Sequence, residues 1–227
     1  MSAPVPFERP RTTQELVLEE LRRRILVGEF RPGQPIRPDQ VAAELHVSRV
    51  PVREALKILE GEGQVRYRAH HGYALAELRR EDLVEIYRIR TLLEDEAARA
   101  AVSRLRDADL VTMREACKEM EAFGADDVSA MAVANRRFHL TLLAASGMPH
   151  LLHHIGLLWN ASDHYRSVYY LDEAHRVEVH EDHRRILSAA EAGDVDALLS
   201  LLDAHRDRAI AGLAPALEEG APPWLNH

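Results

Sequence analysis

Residues 38–63 read PDQVAAELHVSRVPVREALKILEGEG, and this stretch decides the fold of the first part of the chain. Val41 and Leu45 lie on the apolar side of a short first helix. Ser48 then has the chemistry of an N-cap, because its hydroxyl can accept a hydrogen bond from an orphan amide of the next helical turn. Pro51 falls in that turn, where its missing N–H costs little. The stretch predicts two short helices joined by a tight turn.

The second of these helices has an apolar side and a cationic side. Arg49, Arg53 and Lys57 recur every four residues and therefore share one outward face. A helix-turn-helix places its second helix in the major groove of DNA, where an arginine fork can bond a guanine edge or a phosphate. An ordinary solvated surface helix is the plain alternative, but it leaves the serine cap and the short preceding helix unexplained. The residues predicted to form the buried stripe are Val52, Ala55, Leu56 and Leu59.

A further helix is expected before this pair and a hairpin after it. Thr12 or Thr13 can cap a helix that runs to about Val27, with Leu16 among its apolar residues, and the link GEFRPGQPIRP then carries turn residues throughout. Residues 64–78 alternate in a way that predicts a hairpin around an Ala-His-His-Gly turn. A hairpin with a basic tip after a helix-turn-helix is a wing. Its residues that can reach phosphate or the minor groove are Arg66, Arg68, His70 and His71.

Charge is distributed unevenly along the chain. The net charge is −8, but the first 78 residues hold 12 Lys and Arg against 11 Asp and Glu, whereas the rest hold 17 against 26. An acidic surface repels a phosphate backbone, so DNA contact is expected only in the first part. Hydrophobic residues make up 46% of the chain and aromatic residues 5%. This balance favours helices over sheets.

The sequence also indicates the cellular compartment. No apolar run is long enough to cross a bilayer, and the N-terminus lacks the charged-then-apolar pattern of a signal peptide. Cys117 is the one cysteine, so no internal disulfide can form, which fits a reducing cytoplasm. A cytoplasmic protein without a membrane partner is expected.

After Leu78 the chain reads as helix throughout. Apolar residues recur at helical spacing in six successive segments, of which the first spans about 80–103 and the last two flank Ala192-Gly193-Asp194. An all-helical bundle is the natural interpretation. The expected fold is therefore mainly α, with a winged helix-turn-helix followed by a helical bundle.

A set of polar residues occupies positions in the bundle where the helical period calls for apolar ones. Asn135 and His139 lie one turn apart on an apolar face, and His183 and His205 would reach similar heights if two antiparallel helices turn at Gly193. Buried histidines need partners. Three imidazoles and one oxygen suit a divalent transition metal ion, with zinc favoured and nickel the second choice.

Two charged residues on the first bundle helix complete this candidate site. Arg90 lies in the apolar stripe, where its fork could hold the carboxylate of a small effector, and Glu94 follows one turn later. Two other readings remain open. A three-histidine metal site could belong to a metal-dependent hydrolase, although no HExxH motif is present. The site could also sense the metal directly, without an organic effector.

The N-terminal residues resemble the winged-helix domain of GntR-type bacterial transcription regulators. The resemblance covers residues 14–78 and rests on ILVGEFRPGQPI, VSRVPVREALKILEGEGQV and HHGYAL. It departs at Gln64, where a leucine is usual, which is expected to loosen the packing of the wing without changing its fold. In that family the capping serine, the two arginines and the wing tip contact the operator. The candidate DNA-contacting residues here are Arg37, Ser48, Arg49, Val50, Arg53, Arg66, His70, His71 and Gly72.

Residues 80–213 resemble the FCD effector domain of FadR-like GntR regulators. The matching text is RIRTLLEDEAARAA, NRRFHLTLLAASGMPHLL and DHRRILSAAEAGD. Metal-binding members have ligands at the positions of Asn135, His139, His183 and His205. Asn135 is a neutral and weaker donor than the aspartate often found there, and Asp182 replaces the usual glutamate beside His183.

These observations predict a DNA-binding regulator, of the repressor type, that responds to a small organic acid at a metal-containing site. The acid is expected to contact Arg90 and Glu94. Two chains are expected to form a homodimer on near-palindromic double-stranded operator DNA. The predicted organisation is a disordered tail at 1–11, the winged helix-turn-helix at 12–78, the helical effector, metal-binding and dimerisation domain at 79–214, and a tail at 215–227.

Overall fold

The structure, a computed structural model, describes residues 10–77, 79–124, 127–170 and 172–218. A small N-terminal unit of helices and a three-stranded sheet precedes a helical bundle. Within the described ranges no helix is long and apolar enough to span a bilayer. The elements in chain order are α1 (Thr13–Leu26), β1 (Pro35–Ile36), α2 (Pro38–Glu44), α3 (Arg49–Gly61), β2 (Val65–Arg68), β3 (Gly72–Leu75), α4 (Arg80–Val102), α5 (Asp107–Ala122), α6 (Val128–Ala144), α7 (Pro149–Tyr169), α8 (Glu173–Ala192) and α9 (Val195–Glu218).

The helix-turn-helix forms where the sequence predicted it. The four apolar residues of the predicted α3 stripe are fully buried, and they pack on α1 and α2 in one N-terminal core. His46, with φ of 54°, makes the tight turn between α2 and α3. Ser48 does lie at the N-cap of α3, but its side chain makes no capping hydrogen bond. The N-cap position is confirmed and the capping hydrogen bond is not, because the exposed hydroxyl stays on the surface, where water can satisfy the first-turn amides.

Thr12 caps α1 with a full capping box, in which its side chain accepts from the Glu15 amide while the Glu15 carboxylate accepts from the Thr12 amide. One apolar assignment in this helix was wrong. Leu16 is 51% exposed, and Val17, its neighbour, takes the core position.

The wing forms as an antiparallel pair of β2 and β3. Tyr67 lies opposite Tyr73, with ring centroids 5.0 Å apart, and His70 adopts φ of 65° in the turn. β1 adds a third strand beside β3 through Ile36, which the turn-rich sequence of this link did not predict. Gln64 is buried and its amide nitrogen has no hydrogen-bond partner among the described residues, but the hairpin keeps its register.

The helical bundle buries a single large core that includes Phe138, Trp159 and Tyr165. α4 packs against α6, α7 and α9, and α8 turns back into α9 at Gly193, whose φ of 70° is the left-handed conformation that glycine adopts readily. α9 continues to Glu218, so the predicted tail from 215 begins inside a helix. The reason is that Leu217 still packs on the core. Residues 1–9, 78 and 219–227, at the other predicted boundaries, lie outside the described residues.

Gly212 gives a test of how tightly the end of the bundle is packed. The rings of Tyr169 and His175 stack with centroids 4.3 Å apart, and a Cβ at Gly212 would lie 2.7 Å from both rings. We expect Gly212→Ala to lower the free energy of unfolding, because an overpacking cost of about 1–3 kcal/mol exceeds the helix-propensity gain of about 1 kcal/mol. Gly156→Ala, where the new Cβ meets nothing within 4 Å, is the matched control and should be neutral or stabilising. Equal urea midpoints for the two variants would contradict the packing.

Candidate functional site

The predicted DNA-reading residues lie together on the exposed side of α3. Ser48, Arg49 and Arg53 are exposed, and Val50 is 68% exposed, which is unusual for a valine within an amphipathic helix. Arg49 Nε lies 2.8 Å from Asp39 Oδ1 at the surface. Exposed pairs of this kind contribute about 0–1 kcal/mol, so a DNA phosphate or base edge can compete for the guanidinium.

The remaining candidate DNA contacts flank this helix. Arg37 is exposed at the N-terminus of α2, and the wing tip presents His70 and His71 to solvent, with Gly72 half-buried. Arg66 Nη2 lies 3.6 Å from Asp82 of α4. The wing cation is thus shared with the first turn of the helical domain.

The structure brings the three predicted histidines together in the bundle core. The nitrogen atoms that His139, His183 and His205 can offer all lie within 4.8 Å of one another. His139 Nε2 and His183 Nε2 are 3.0 Å apart. Two imidazole nitrogens that bind one ion at about 2.1 Å are separated by about 3.0 Å in an octahedral site and by about 3.4 Å in a tetrahedral one. The spacing therefore fits two ligands of one metal ion.

Two of the rings are held by hydrogen bonds on the opposite nitrogen. His183 Nδ1 donates to the Val179 carbonyl at 2.6 Å, and His205 Nδ1 donates to Asp182 Oδ2 at 3.0 Å. In a neutral imidazole this leaves the lone pair on Nε2, which points toward the cluster. Asp182 is fixed in turn by Arg208, whose Nε donates to it at 2.8 Å. Such partners set the tautomer and orientation of metal-binding histidines.

The electrostatics of the cluster keep the imidazoles neutral. Burial lowers the pKa of His139 well below its usual value, and the neighbouring His183 and His205 lower it further. Burial also lowers the pKa of His183 and of His205. At neutral pH the three rings therefore offer lone pairs rather than protons to an incoming cation.

Asn135 supplies the fourth predicted group. Its side chain is 1% exposed, and Oδ1 has no hydrogen-bond partner among the described residues. It lines the same cavity as His139 and His205, whose volume is about 20 Å³. That is room for one or two water-sized species. An orphaned buried oxygen beside three neutral imidazoles is what a metal ion would satisfy.

Arg90 and Glu94, the predicted effector-binding residues, line this cavity but bind each other. Arg90 Nε donates to Glu94 Oε1 at 2.7 Å, and Arg206 Nη1 donates to Glu94 Oε2 at 3.2 Å. Trp159 Nε1 donates to Glu94 Oε1 at 2.7 Å. Burial raises the pKa of Glu94, but the Arg90 and Arg206 guanidiniums outweigh it and hold the pKa low. The anion that Arg90 faces in this structure is thus Glu94.

Three residues of the site were given no role in it by the sequence analysis. Asp182 gave no signal beyond its position next to His183, because its contact with His205 spans 23 residues. The guanidiniums of Arg90 and Arg166 both lie over the Trp159 ring, at 4.3 and 3.6 Å from its centroid. Arg206 was hidden by the many arginines of the chain. Its position on α9 next to His205 was the available signal.

The contact between Asp182 and His205 makes a second prediction. Asp182→Asn removes the carboxylate that orients His205, so we expect metal affinity to fall about 10- to 100-fold. Asp194→Asn, at the start of α9 and away from the cluster, is the control. Competition against a zinc-binding dye measures both, and an unchanged dissociation constant for Asp182→Asn would show that His205 needs no carboxylate partner.

Two family models match the chain. Residues 13–75 match the model described as bacterial regulatory proteins, gntR family, and residues 85–208 match the FCD domain. The first match covers the N-terminal unit and the second covers most of the helical bundle. The first match ends at the linker between β3 and α4.

Similar proteins agree with these models. A Bacillus subtilis (strain 168) HTH-type transcriptional regulator, YdhC, is 30% identical over 207 residues, covering 88% of this chain and 91% of its own. A probable D-xylose utilization operon transcriptional repressor of Paenarthrobacter nicotinovorans is 32% identical over 220 residues and 91% of each chain. The structure of Escherichia coli McbR/YncC superposes with a TM-score of 0.82 at 27% identity, covering 91% of this chain and 99% of that one. The chain belongs to the GntR family, and is a DNA-binding transcriptional regulator with an FCD domain rather than an enzyme.

Proposed function

We propose that this regulator is a homodimeric repressor whose hold on near-palindromic operator DNA is controlled by a small organic acid bound beside a metal ion in the helical domain. The observation that carries the proposal is the convergence of three buried imidazoles with the partnerless oxygen of Asn135. When bound, the ion would supply a Lewis-acidic position for a carboxylate oxygen. His139, His183, His205 and Asn135 would hold it, with zinc favoured over nickel.

The surroundings of the cavity bear on the size of the effector. With a volume of about 20 Å³, the cavity admits only a compact group unless its walls move. A carboxylate effector would compete with Glu94 for Arg90 or Arg206. This exchange would release charged contacts that now tie α4 to α7 and α9. The effector can control DNA binding only if its affinity differs between two placements of these helices.

A contact chain leads from the cavity to the DNA-binding unit. On α7, Trp159 and Ser162 bond Glu94 and Arg90, and one turn later the Tyr165 hydroxyl donates to the carbonyl and accepts from the amide of Arg79. Arg79 immediately precedes α4 in the linker to the wing. A shift of α7 or α4 at the cavity would therefore move the linker that positions the wing and α3.

The test is a thermal-shift screen of zinc-loaded protein against small carboxylic acids and their neutral amides. We expect an acid, and not its amide, to raise the melting temperature and to weaken binding to an operator selected from random duplex DNA. A ligand at 100 times its dissociation constant contributes about 2.7 kcal/mol of stability, so the shift should reach several degrees. Arg90→Gln should abolish the response. A complete screen without any acid-specific shift would contradict the effector.

Direct metal sensing is the second candidate function. Two observations favour it: Arg90 already has an anionic partner in Glu94, and the cavity has the size of an ion with one or two waters. In that case EDTA alone changes operator affinity, and adding zinc alone restores it.

The repressor assignment is supported by the relative from Paenarthrobacter nicotinovorans, whose name describes a repressor. Deletion of the gene should then raise expression from its operator-bearing promoter.

A further inference from the structure

The side of α4 that faces away from the bundle has no covering partner within the described residues. Leu92 is 69% exposed at its centre, and Ile89 is 38% exposed one turn away. Charged residues continue the same stripe in both directions, whereas the buried residues of α4 lie on the opposite side. We call this surface the outer face of α4, and it consists of Glu85, Arg88, Ile89, Leu92, Glu96 and Arg99.

The four charged residues of the outer face form no ion pair within the part of the chain that the structure describes. Other exposed charges in the bundle do form ion pairs, for example Arg106 with Asp109. Among the described residues, no ion pair involves any of the four, although opposite charges stand three residues apart within the helix. The unpaired charges are Glu85, Arg88, Glu96 and Arg99.

The order of these charges is antisymmetric about Leu92. Glu85 lies seven residues before Leu92 and Arg99 seven after it, while Arg88 lies four before and Glu96 four after. A two-fold axis through Leu92 brings such positions of two antiparallel helices together. It places glutamate against arginine at every charged position, in the self-complementary manner of an isologous interface. A parallel pair would instead oppose like charges.

We propose that two copies of this chain associate through antiparallel packing of their α4 outer faces, centred on Leu92. The inference rests on the homodimer of the proposed function and names the surface that forms it. Arg80, where α4 begins, lies 12 residues from the axis. At 1.5 Å per residue the two helix starts are then about 36 Å apart, close to the turn of DNA that separates two half-sites.

Cross-linking tests the symmetry directly. Leu92→Cys places a thiol next to its own copy, so a short bismaleimide should link most of the chains into covalent dimers. Val177→Cys is the matched control, because Val177 is 61% exposed on α8, away from this face, and it should stay uncross-linked. The native Cys117 is buried, and burial raises the pKa of its thiol to about 12, which keeps it unreactive. Equal cross-linking of both variants, or none with Leu92→Cys, would overturn the interface.

Charge reversal separates this interface from the proposed function. Glu85→Arg sets arginine against Arg99 at two symmetric places, so we expect the dimer dissociation constant to rise about 10-fold or more in low salt, and Glu85→Arg with Arg99→Glu should restore it. Sedimentation of full-length protein measures both. If the wild type is a dimer and the reversed variants dimerise equally tightly, this interface is wrong, but the regulator is still a homodimer. A wild-type chain that stays monomeric, free and on DNA, would overturn the interface together with the homodimer.

Discussion

Replacing Arg49 or Arg53 with alanine is expected to cut specific operator binding by about 10- to 100-fold per half-site, because each arginine fork that bonds a base edge contributes about 1–3 kcal/mol of discrimination. A homodimer loses the contact at both half-sites, so the loss in the dimer is larger still. Both side chains are exposed and outside the hydrophobic core, so the variants should fold normally. Their metal content should be unchanged.

Fluorescence anisotropy with a labelled operator, at fixed salt, measures this loss. Arg106→Ala is the control, since Arg106 is an exposed arginine of the helical domain with 78% side-chain exposure. Wild-type affinity in the Arg49 and Arg53 variants would remove α3 from the recognition of DNA. An equal loss on operator and on random duplex would assign the two arginines to phosphates instead of bases.

Replacing His183 with alanine is expected to abolish metal binding at the cluster. His183 is fully buried and its Nε2 lies next to His139, so the variant loses one of three nitrogen ligands at the centre of the site. Zinc at 1,000 times its dissociation constant adds about 4 kcal/mol to the stability of a protein that binds it only when folded. The wild-type melting temperature should therefore rise by several degrees on adding zinc, and that of His183→Ala should not move.

His153→Ala is the matched control for the metal experiment. His153 is an exposed histidine on α7, away from the bundle core, and its removal should leave the zinc-induced shift intact. Circular dichroism of His183→Ala without metal checks that its helices still form. A full zinc response in His183→Ala would place the ion elsewhere on the protein.

Periodicity in the sequence predicted the structure correctly where the relevant contacts repeat at a regular spacing. The buried stripe of α3 follows from four apolar residues on one helical face, and the facing of Tyr67 and Tyr73 follows from strand alternation. β1 has two residues, too few for any period, so its pairing with β3 was missed. The cap hydrogen bond of Ser48 depended on a side-chain rotamer, which sequence does not encode.

The histidine cluster could be predicted from the sequence by such a rule, whereas the contacts of the residues around it could not. His183 and His205 could be aligned because one glycine turn sets two helices antiparallel, and helical rise then fixes their heights. No such rule identifies the partner of Arg90 from the sequence. Glu94 is one turn away in the sequence, yet its bonds to Trp159 and Arg206 depend on how three helices pack. Arg90 was therefore predicted to bind the carboxylate of an effector, whereas in the structure it binds the carboxylate of Glu94.

The claim on which the proposed function depends is that the buried histidines form a metal centre. An anomalous-difference map collected at the zinc absorption edge, from crystals of the zinc-loaded regulator, tests it most directly. We expect one strong peak per chain, about 2.0–2.1 Å from Nε2 atoms of His139, His183 and His205, with Asn135 Oδ1 facing it. A map without a peak there, or with zinc only at exposed histidines such as His153, would contradict the account.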